Sequence, residues 1–342
     1  MSVVLGIEST CDETAASVVV NGKEILSNII TSQMDLLELY GGVYPELACR
    51  RHFDVILPVI EEALKSAKAQ PSDIDLIAVA SKPGLMGALL IGVNVAKSLA
   101  YAWEKPFVGV NHIEAHLYSA LMELENPTLP AIGIVASGGH TSLVQINGIG
   151  EYQLIGQTID DAVGESFDKV ARLMDLPFPG GPEIEKLAKE GDRKSYPFKA
   201  GNVKGQPLNF SFSGLKTQLL YTLKGQNGTP KSPTLLDEKE KKNVAASFQE
   251  VALTDIVKKA LKAAKKLDIK TIYIGGGVSN NQRFREIFNE LCPDLNVFWP
   301  PRGLSIDNAA MIAGLGYHVF KKRGRSDPLS LSPTPTSKLL SL

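Results

Sequence analysis

The chain has 342 residues, 44% of them hydrophobic and 21% charged, with a formal net charge of −1. These values describe a globular chain with room for two domains or one large bilobed one. They exclude a global basic field, so a nucleic-acid partner has to use a local patch or a companion protein.

Residues 3–7 and 15–21 read as β-rich strands around a polar turn, Glu8-Ser9-Thr10-Cys11-Asp12-Glu13-Thr14. Residues 25–31 read as a third strand. Leu47, Val55, Ile56, Val59, Ile60 and Ala63 recur at helical spacing and predict a helix over 45–67. A strand over 74–80 runs into Ser81-Lys82-Pro83-Gly84. The longest apolar run, 85–103, contains Asn94 and Lys97 and is flanked by Pro83 and Pro106. It is expected as a buried core helix, not a membrane span. Residues 107–110 read as a strand, and a helix follows to about Glu123. Strands alternating with helices predict an α/β sheet.

Residues 127–130 break the pattern, which then restarts with a strand over 131–136, the turn Ser137-Gly138-Gly139-His140-Thr141, and a strand over 142–147. The chain opens in the same way, and this repetition suggests an internal duplication. Residues 160–243 are expected to be helical with Gly-, Pro- and Ser-rich interruptions, including a loop over 225–233. An amphipathic helix is expected over 244–267 and a strand over 271–274, ending in Gly275-Gly276-Gly277. The last helix is expected over 309–322, followed by an irregular Ser- and Pro-rich tail. Cys11, Cys49 and Cys292 have no paired spacing, which points to a reducing compartment. The N-terminus shows no basic n-region, cleavage site or Arg-rich presequence, so a cytoplasmic location is expected.

Two of the five histidines fall in His112-Ile113-Glu114-Ala115-His116. On a helix, i and i+4 share a face, which lets two imidazoles hold one metal ion. The metalloprotease pattern needs Glu directly after the first His, and Ile113 stands there instead. Asp307, before the last helix, reads as an N-cap or as a third ligand, giving a set that suits zinc or iron. Three strand-terminal turns, at 8–14, 137–141 and 275–281, have the small or hydroxyl residues of an anion-binding turn. None matches G-x-x-x-x-G-K-S/T or G-x-G-x-x-G. Asp12 and Glu13 read as a solvated turn, or as carboxylates facing metal-bound phosphate or acting as a general base. Asp161, Glu165 and Asp168 share a helix face and offer ribose contacts beyond simple dipole capping. Pro179-Gly180-Gly181-Pro182 reads as a turn or as a close backbone approach to a ligand. Arg50-Arg51-His52 and Lys321-Lys322-Arg323-Gly324-Arg325 are local basic clusters.

Taken in order, residues 6–14, 40–48 (Tyr40-Gly41-Gly42-Val43-Tyr44-Pro45-Glu46-Leu47-Ala48), 111–116, 135–141, 160–169, 209–216 (Asn-Phe-Ser-Phe-Ser-Gly-Leu-Lys), 275–281 and 307–313 closely resemble the bacterial TsaD family, formerly called Gcp or O-sialoglycoprotein endopeptidase. The similarity runs from residue 3 to about residue 320. The sequence departs from the family pattern at Ala115, Asn280 and Glu185, and no departure removes a reactive group.

The resemblance implies an α/β actin/sugar-kinase/Hsp70-like (ASKHA) fold, two duplicated α/β lobes with a nucleotide cleft between them. Residues 1–125 and about 310–342 would form the N-terminal lobe, and 126–309 the C-terminal lobe, with a helical insertion over about 160–243. The implied activity is transfer of threonylcarbamoyl from threonylcarbamoyl-AMP to N6 of the adenosine 3′ of the anticodon, in tRNAs reading ANN codons. The family pattern puts one divalent metal on His112, His116 and Asp307, with iron the first choice and zinc or magnesium the alternatives. It puts adenylate contacts on Val135, Ala136, Ser137, Gly138, Gly139, Asp168, Gly181, Glu185 and Asn281. Asp12 and Glu13 are the candidate catalytic carboxylates. The implied partners are tRNA, a TsaB-like paralogue and a TsaE-like ATPase, with a TsaC-like enzyme supplying the donor; a homodimer is the alternative. Competing readings are a small-molecule kinase of the same fold, a metalloprotease, and a non-catalytic nucleotide-binding scaffold.

Overall fold

A computed structural model of the chain describes residues 1–33 and 44–336. Residues 40–43 of the family-like motif, and the tail beyond 336, lie outside the described residues. The chain divides into two compact units, Met1–Pro127 with Asn147–Gln153 and Pro300–Leu342, and Thr128–Ile146 with Leu154–Trp299.

Strands β1 (Val3–Glu8), β2 (Thr14–Val20), β3 (Glu24–Thr31), β4 (Leu76–Lys82) and β5 (Phe107–Asn111) form the first sheet, in the order β3-β2-β1-β4-β5. β1 pairs antiparallel with β2 and parallel with β4. β4 pairs parallel with β5, and β2 antiparallel with β3. The central strands are buried almost throughout, which is why β1 and β4 read as continuous apolar runs and not as alternating ones. Helices α1 (Pro45–Ala67) and α2 (Met86–Ala102) lie between these strands in sequence, and α3 (His112–Ser119) follows β5.

The second unit repeats the plan. β6 (Ala131–Ala136), β7 (Thr141–Gly148), β8 (Glu151–Gln157), β9 (Thr271–Gly275) and β10 (Asn296–Phe298) form a sheet in the order β10-β9-β6-β7-β8. Read from the other edge, the order is that of the first sheet, with β6 antiparallel to β7 and parallel to β9. Helices α4 (Val163–Leu173), α5 (Gly180–Ala188), α6 (Ser213–Lys224), α7 (Glu238–Leu267) and α8 (Gln282–Leu291) cover it around a core that includes Ile134, Phe167, Phe210, Phe248, Ile274 and Phe284. The chain then returns to the first unit with α9 (Ala309–Arg323).

In the first unit Leu5 and Ile7 of β1 pack with α1 and α2 residues such as Ile56, Ile60 and Val93. Gly6, one residue out of phase, faces the other way, onto α9. A Cβ at Gly6 would run into the Ala309 carbonyl and into Ala313, so the helix sits against the strand backbone. That close seat brings the start of α9 to the end of β1.

Two helix boundaries differ from expectation by several residues. α3 stops at Ser119, not near Glu123, and the Ser119 hydroxyl donates to the His116 carbonyl at 2.7 Å, in competition with the helical ladder. α7 starts at Glu238, six residues before the apolar pattern (244 − 238), because Asp237 and Glu240 form a reciprocal capping box.

Candidate metal centre and ligand-binding turns

β5 ends at Asn111, whose side chain accepts from the backbone N–H groups of Ile113 and Glu114 and so starts α3. One turn of helix then brings His112 and His116 together, ring centroids 4.6 Å apart at 78°. Asp307 stands just before α9, but the cap of that helix is Asn308, whose Oδ1 accepts from Met311 N at 3.0 Å. Its amide also donates to Leu304 O and Ile306 O. Asp307 is therefore not the cap, and its Oδ1 lies 3.0 Å from His116 Nε2 and 3.5 Å from His112 Nε2.

One ligand atom from each of the three residues falls within 4.8 Å of the others. His116 is fully buried; Nε2 has the Asp307 carboxylate beside it at 3.0 Å but makes no well-aligned hydrogen bond, and Nδ1 has no partner, and a buried polar group left without one costs about 1–3 kcal/mol. Two imidazole nitrogens converge with a carboxylate oxygen without a well-aligned hydrogen bond at His116 Nε2, so the donor set fits a metal.

Behind the triad, Glu8 Oε2 lies 2.8 Å from His112 Nδ1, and Thr10 N donates to Glu8 Oε1 at 2.6 Å. With Nδ1–H donating to Glu8, Nε2 is the nitrogen that would face a metal, the usual carboxylate–histidine–metal order. Burial pushes the His112 pKa down, but Glu8 and then Asp307 outweigh it and hold the ring at about 9. A metal at Nε2 would compete with that proton.

Asp12 and Glu13 sit in the same acid-rich place. Burial, then Asp307, raises Asp12. Burial, then Asp307 and Asp12, pushes Glu13 up to about 10. A cation beside Asp307 would relieve part of that repulsion and favour the ionised forms. Glu114 points elsewhere: it is buried and pushed up to about 7 by burial, with Lys82 and Arg323 pulling it back.

In the second unit, the remaining candidates are brought into one connected set. β6 ends at Val135 and Ala136, and the 137–140 turn is closed by Ser137 N donating to His140 O at 2.9 Å. That engages the Ser137 amide, and at Gly138 and Gly139 an added Cβ would meet nothing within 4 Å, so the turn has open space on that side. Gly276, at φ +93°, packs against Ala136 O and Ser137, which joins the 275–281 turn to the 137–141 turn. Gly164, at the start of α4, lies against Ser137 O and Gly138.

Asp168 of α4 accepts from Gly180 N at 2.8 Å, and Glu185 of α5 accepts from Gln282 N at 2.8 Å. Asn281 caps α8 through Phe284 N at 3.1 Å, and its amide donates to Gln249 at 2.8 Å, while Asn280 is exposed. A cavity of about 390 Å³ opens beside this set, lined in part by Glu185, Gln249, Gln282 and Arg283.

Gly180 and Gly181 differ in kind. A Cβ on Gly180 would lie 2.5 Å from Ala171 Cβ and 2.7 Å from Asp168 Cα, so it is a packing glycine. At Gly181 the space is open.

The acidic stretch divides as well. Asp160 accepts from the Ser211 and Ser213 hydroxyls at 2.6 and 2.7 Å and from Phe212 N at 2.8 Å. Asp161 pairs with Lys169 and Lys216. These two hold the 209–216 motif, and of the stretch only Asp168 reaches the glycine pair. The basic clusters are also partly committed: His52 is buried, Lys322 pairs with Glu151, and Arg323 with Asp327.

The model of the family described as TsaD, tRNA N6-adenosine threonylcarbamoyltransferase, matches residues 24–314. A protein of that name from Protochlamydia amoebophila is 57% identical over 340 residues, covering 99% of both chains. Another from Anaeromyxobacter dehalogenans is 46% identical over 342 residues, covering 99% of this chain and all of its own. The chain belongs to the TsaD family. Among solved structures, full-length HypF superposes over 94% of this chain and 55% of its own with a TM-score of 0.62 at 14% identity, a likeness of fold. The duplicated five-stranded sheets are of the ASKHA type.

Two residues that matter to the geometry were not singled out from sequence. Glu8 ends β1, the position from which a side chain leaves a central strand toward the site. Asn308 stands beside Asp307 with equal capping propensity, and only the coordinates assign the cap. No helix of the described residues is long and apolar enough to cross a membrane.

Proposed function

We propose that this chain transfers the threonylcarbamoyl group of threonylcarbamoyl-AMP to N6 of the adenosine 3′ of the anticodon in tRNAs reading ANN codons. The observation that carries this reading is the 57% identity along 99% of a protein named for that activity. The N6 amine attacks the carbamoyl carbon, the bond from that carbon to the phosphate oxygen breaks, and AMP leaves. His112, His116 and Asp307 would hold a divalent cation, with iron the first choice and zinc or magnesium the alternatives, which would supply positive charge to the donor's phosphate. Val135, Ala136, Ser137, Gly138, Gly139, Asp168, Gly181, Glu185 and Asn281 take the adenylate, with the Gly138 and Gly139 amides available to a developing oxyanion. Asp12 or Glu13 takes the N6 proton. Because the donor is already activated, the protein's remaining work is to orient the reactants and exclude water.

The metalloprotease reading is disfavoured by Ile113 after His112. A kinase of the same fold would give a phosphorylated product. The partner set is tRNA, a TsaB-like paralogue and a TsaE-like ATPase, with donor from a TsaC-like enzyme, in the cytoplasm. Docking of a paralogous chain is supported by apolar side chains left open on α1 and α2, where Phe53 is 74% exposed, Leu57 52% and Leu90 41%. The test is reconstitution with tRNA, threonine, bicarbonate, ATP and that partner set. N6-threonylcarbamoyladenosine is read by mass spectrometry, with His112→Ala as control. Absence of the modified nucleoside from the complete mixture would overturn the reading.

A further inference from the structure

The turn over residues 8–14 is held from two sides. Its first half is fixed by the start of α2: the Ser9 hydroxyl donates to Ala88 O at 3.0 Å, and Leu85 N donates to Thr10 O at 2.8 Å. The second half, with Asp12 and Glu13, is gripped by one side chain of α1. His52 is fully buried, its Nε2 3.0 Å from Cys11 O and its Nδ1 2.7 Å from Thr14 Oγ1. Those two atoms bracket the acidic pair, since the Cys11 carbonyl belongs to the peptide bond leading into Asp12, and Thr14 follows Glu13.

A carbonyl oxygen only accepts, so Nε2 carries the proton. Burial holds the ring below the ordinary histidine range, against the pull of the Cys11 carbonyl and Glu8. The neutral ring then accepts the Thr14 hydroxyl proton at Nδ1. An imidazole used at both nitrogens acts as a spacer of fixed length. It contributes nothing to the basic surface that Arg50 and Arg51 suggest.

We propose that His52 is a positioning residue for the transfer reaction, fixing Asp12 and Glu13 by holding the backbone before them and the side chain after them. The proposal rests on the reading that one of these carboxylates takes the N6 proton. A displacement on the order of 1 Å at a reacting group costs roughly 100-fold in rate. His52→Phe fills the ring's place and makes neither bond, so kcat is expected to fall by about 10- to 100-fold. KM for threonylcarbamoyl-AMP and metal content should stay within about twofold, because the loss is confined to the chemical step. His52→Gln, which can donate to Cys11 O, should recover part of kcat. Thr14→Val, which removes only the hydroxyl, should lower kcat in the same sense by less.

All three variants are assayed in the complete reconstitution beside Asp12→Ala and Glu13→Ala, with melting temperature and metal content recorded. The proposal is overturned if His52→Phe and Thr14→Val keep the parent kcat while a carboxylate variant is inactive. It is equally overturned if His52→Phe loses kcat only in step with metal and melting temperature, and Gln and Thr14→Val do not reproduce the graded kcat effect. Parent-like turnover in both carboxylate variants brings down the proton-acceptor reading, and this proposal with it.

Discussion

Gly180 and Gly181 are adjacent and chemically identical, yet alanine should act on them in opposite directions. At Gly180 the new Cβ would lie 2.5 Å from Ala171 Cβ, 2.7 Å from Asp168 Cα and 2.8 Å from Phe167 O. Carbon atoms rest at about 3.5–4.0 Å, so α5 has to move by roughly 1 Å against α4. Overpacking of this kind costs about 1–3 kcal/mol. For a unit of this size that is a fall in Tm of about 2–4 °C per kcal/mol. At Gly181 the Cβ enters open space in a helical backbone, so alanine should stabilise by up to about 1 kcal/mol. If adenylate lies over that open space, Gly181→Ala should weaken AMP binding by about tenfold, or ~1.4 kcal/mol. Differential scanning calorimetry and isothermal titration with AMP measure both quantities. A lowered Tm for Gly181→Ala would refute the packing argument, and unchanged AMP affinity would refute the assignment of Gly181 to the ligand.

Other outcomes follow from the same geometry. Glu8→Gln keeps the shape of the group behind His112 but not its charge; metal affinity, measured by competition with a chelator, should fall by about 10- to 100-fold. His116→Ala should leave the protein without stoichiometric metal after dialysis; parent-like metal content would remove His116 from the site. Asn308→Ala removes the cap of α9 beside Asp307 and should cost about 1 kcal/mol of stability or more, and Asn308→Asp should not recover it, because a carboxylate cannot donate to the Leu304 and Ile306 carbonyls. His318 is held at about 4, by burial and then by Lys321 and Lys23, and lies 3.0 Å from the Tyr118 hydroxyl. Its folded pKa is below the unfolded value of about 6.5, so its contribution is complete above that pH and is lost as pH falls toward 4. His318→Gln should flatten the dependence of Tm on pH over that interval, and an unaltered slope would show that another group sets it.

The parts of the fold that sequence made legible were those with one dominant physical cause. β1, β4 and β6 are buried on both faces, and their apolar runs say so. The repeated strand, polar turn and strand at 3–21 and 131–147 carried the duplication, and both sheets keep it. β10 has three residues, too few for a pattern, and the start of α7 is set by the Asp237 and Glu240 cap, not by apolar spacing. Helical spacing joins His112 to His116, but Asp307 is 191 residues further on (307 − 116) and meets them because α9 seats on Gly6. Charge alone misled at His52, whose partners come from the 8–14 turn, while Asp161 is held by Lys216 of the 209–216 motif. In both cases a long-range partner that local sequence does not show fixes the side chain.

Mass spectrometry of nucleosides from a tRNA reading an ANN codon, after incubation with this chain, its partner set, threonine, bicarbonate and ATP, bears most directly on the reaction. N6-threonylcarbamoyladenosine at the position 3′ of the anticodon, present with the parent chain and lost with His112→Ala, is the expected result. An unmodified adenosine in the complete mixture, or equal modification with and without the His112 imidazole, would contradict it.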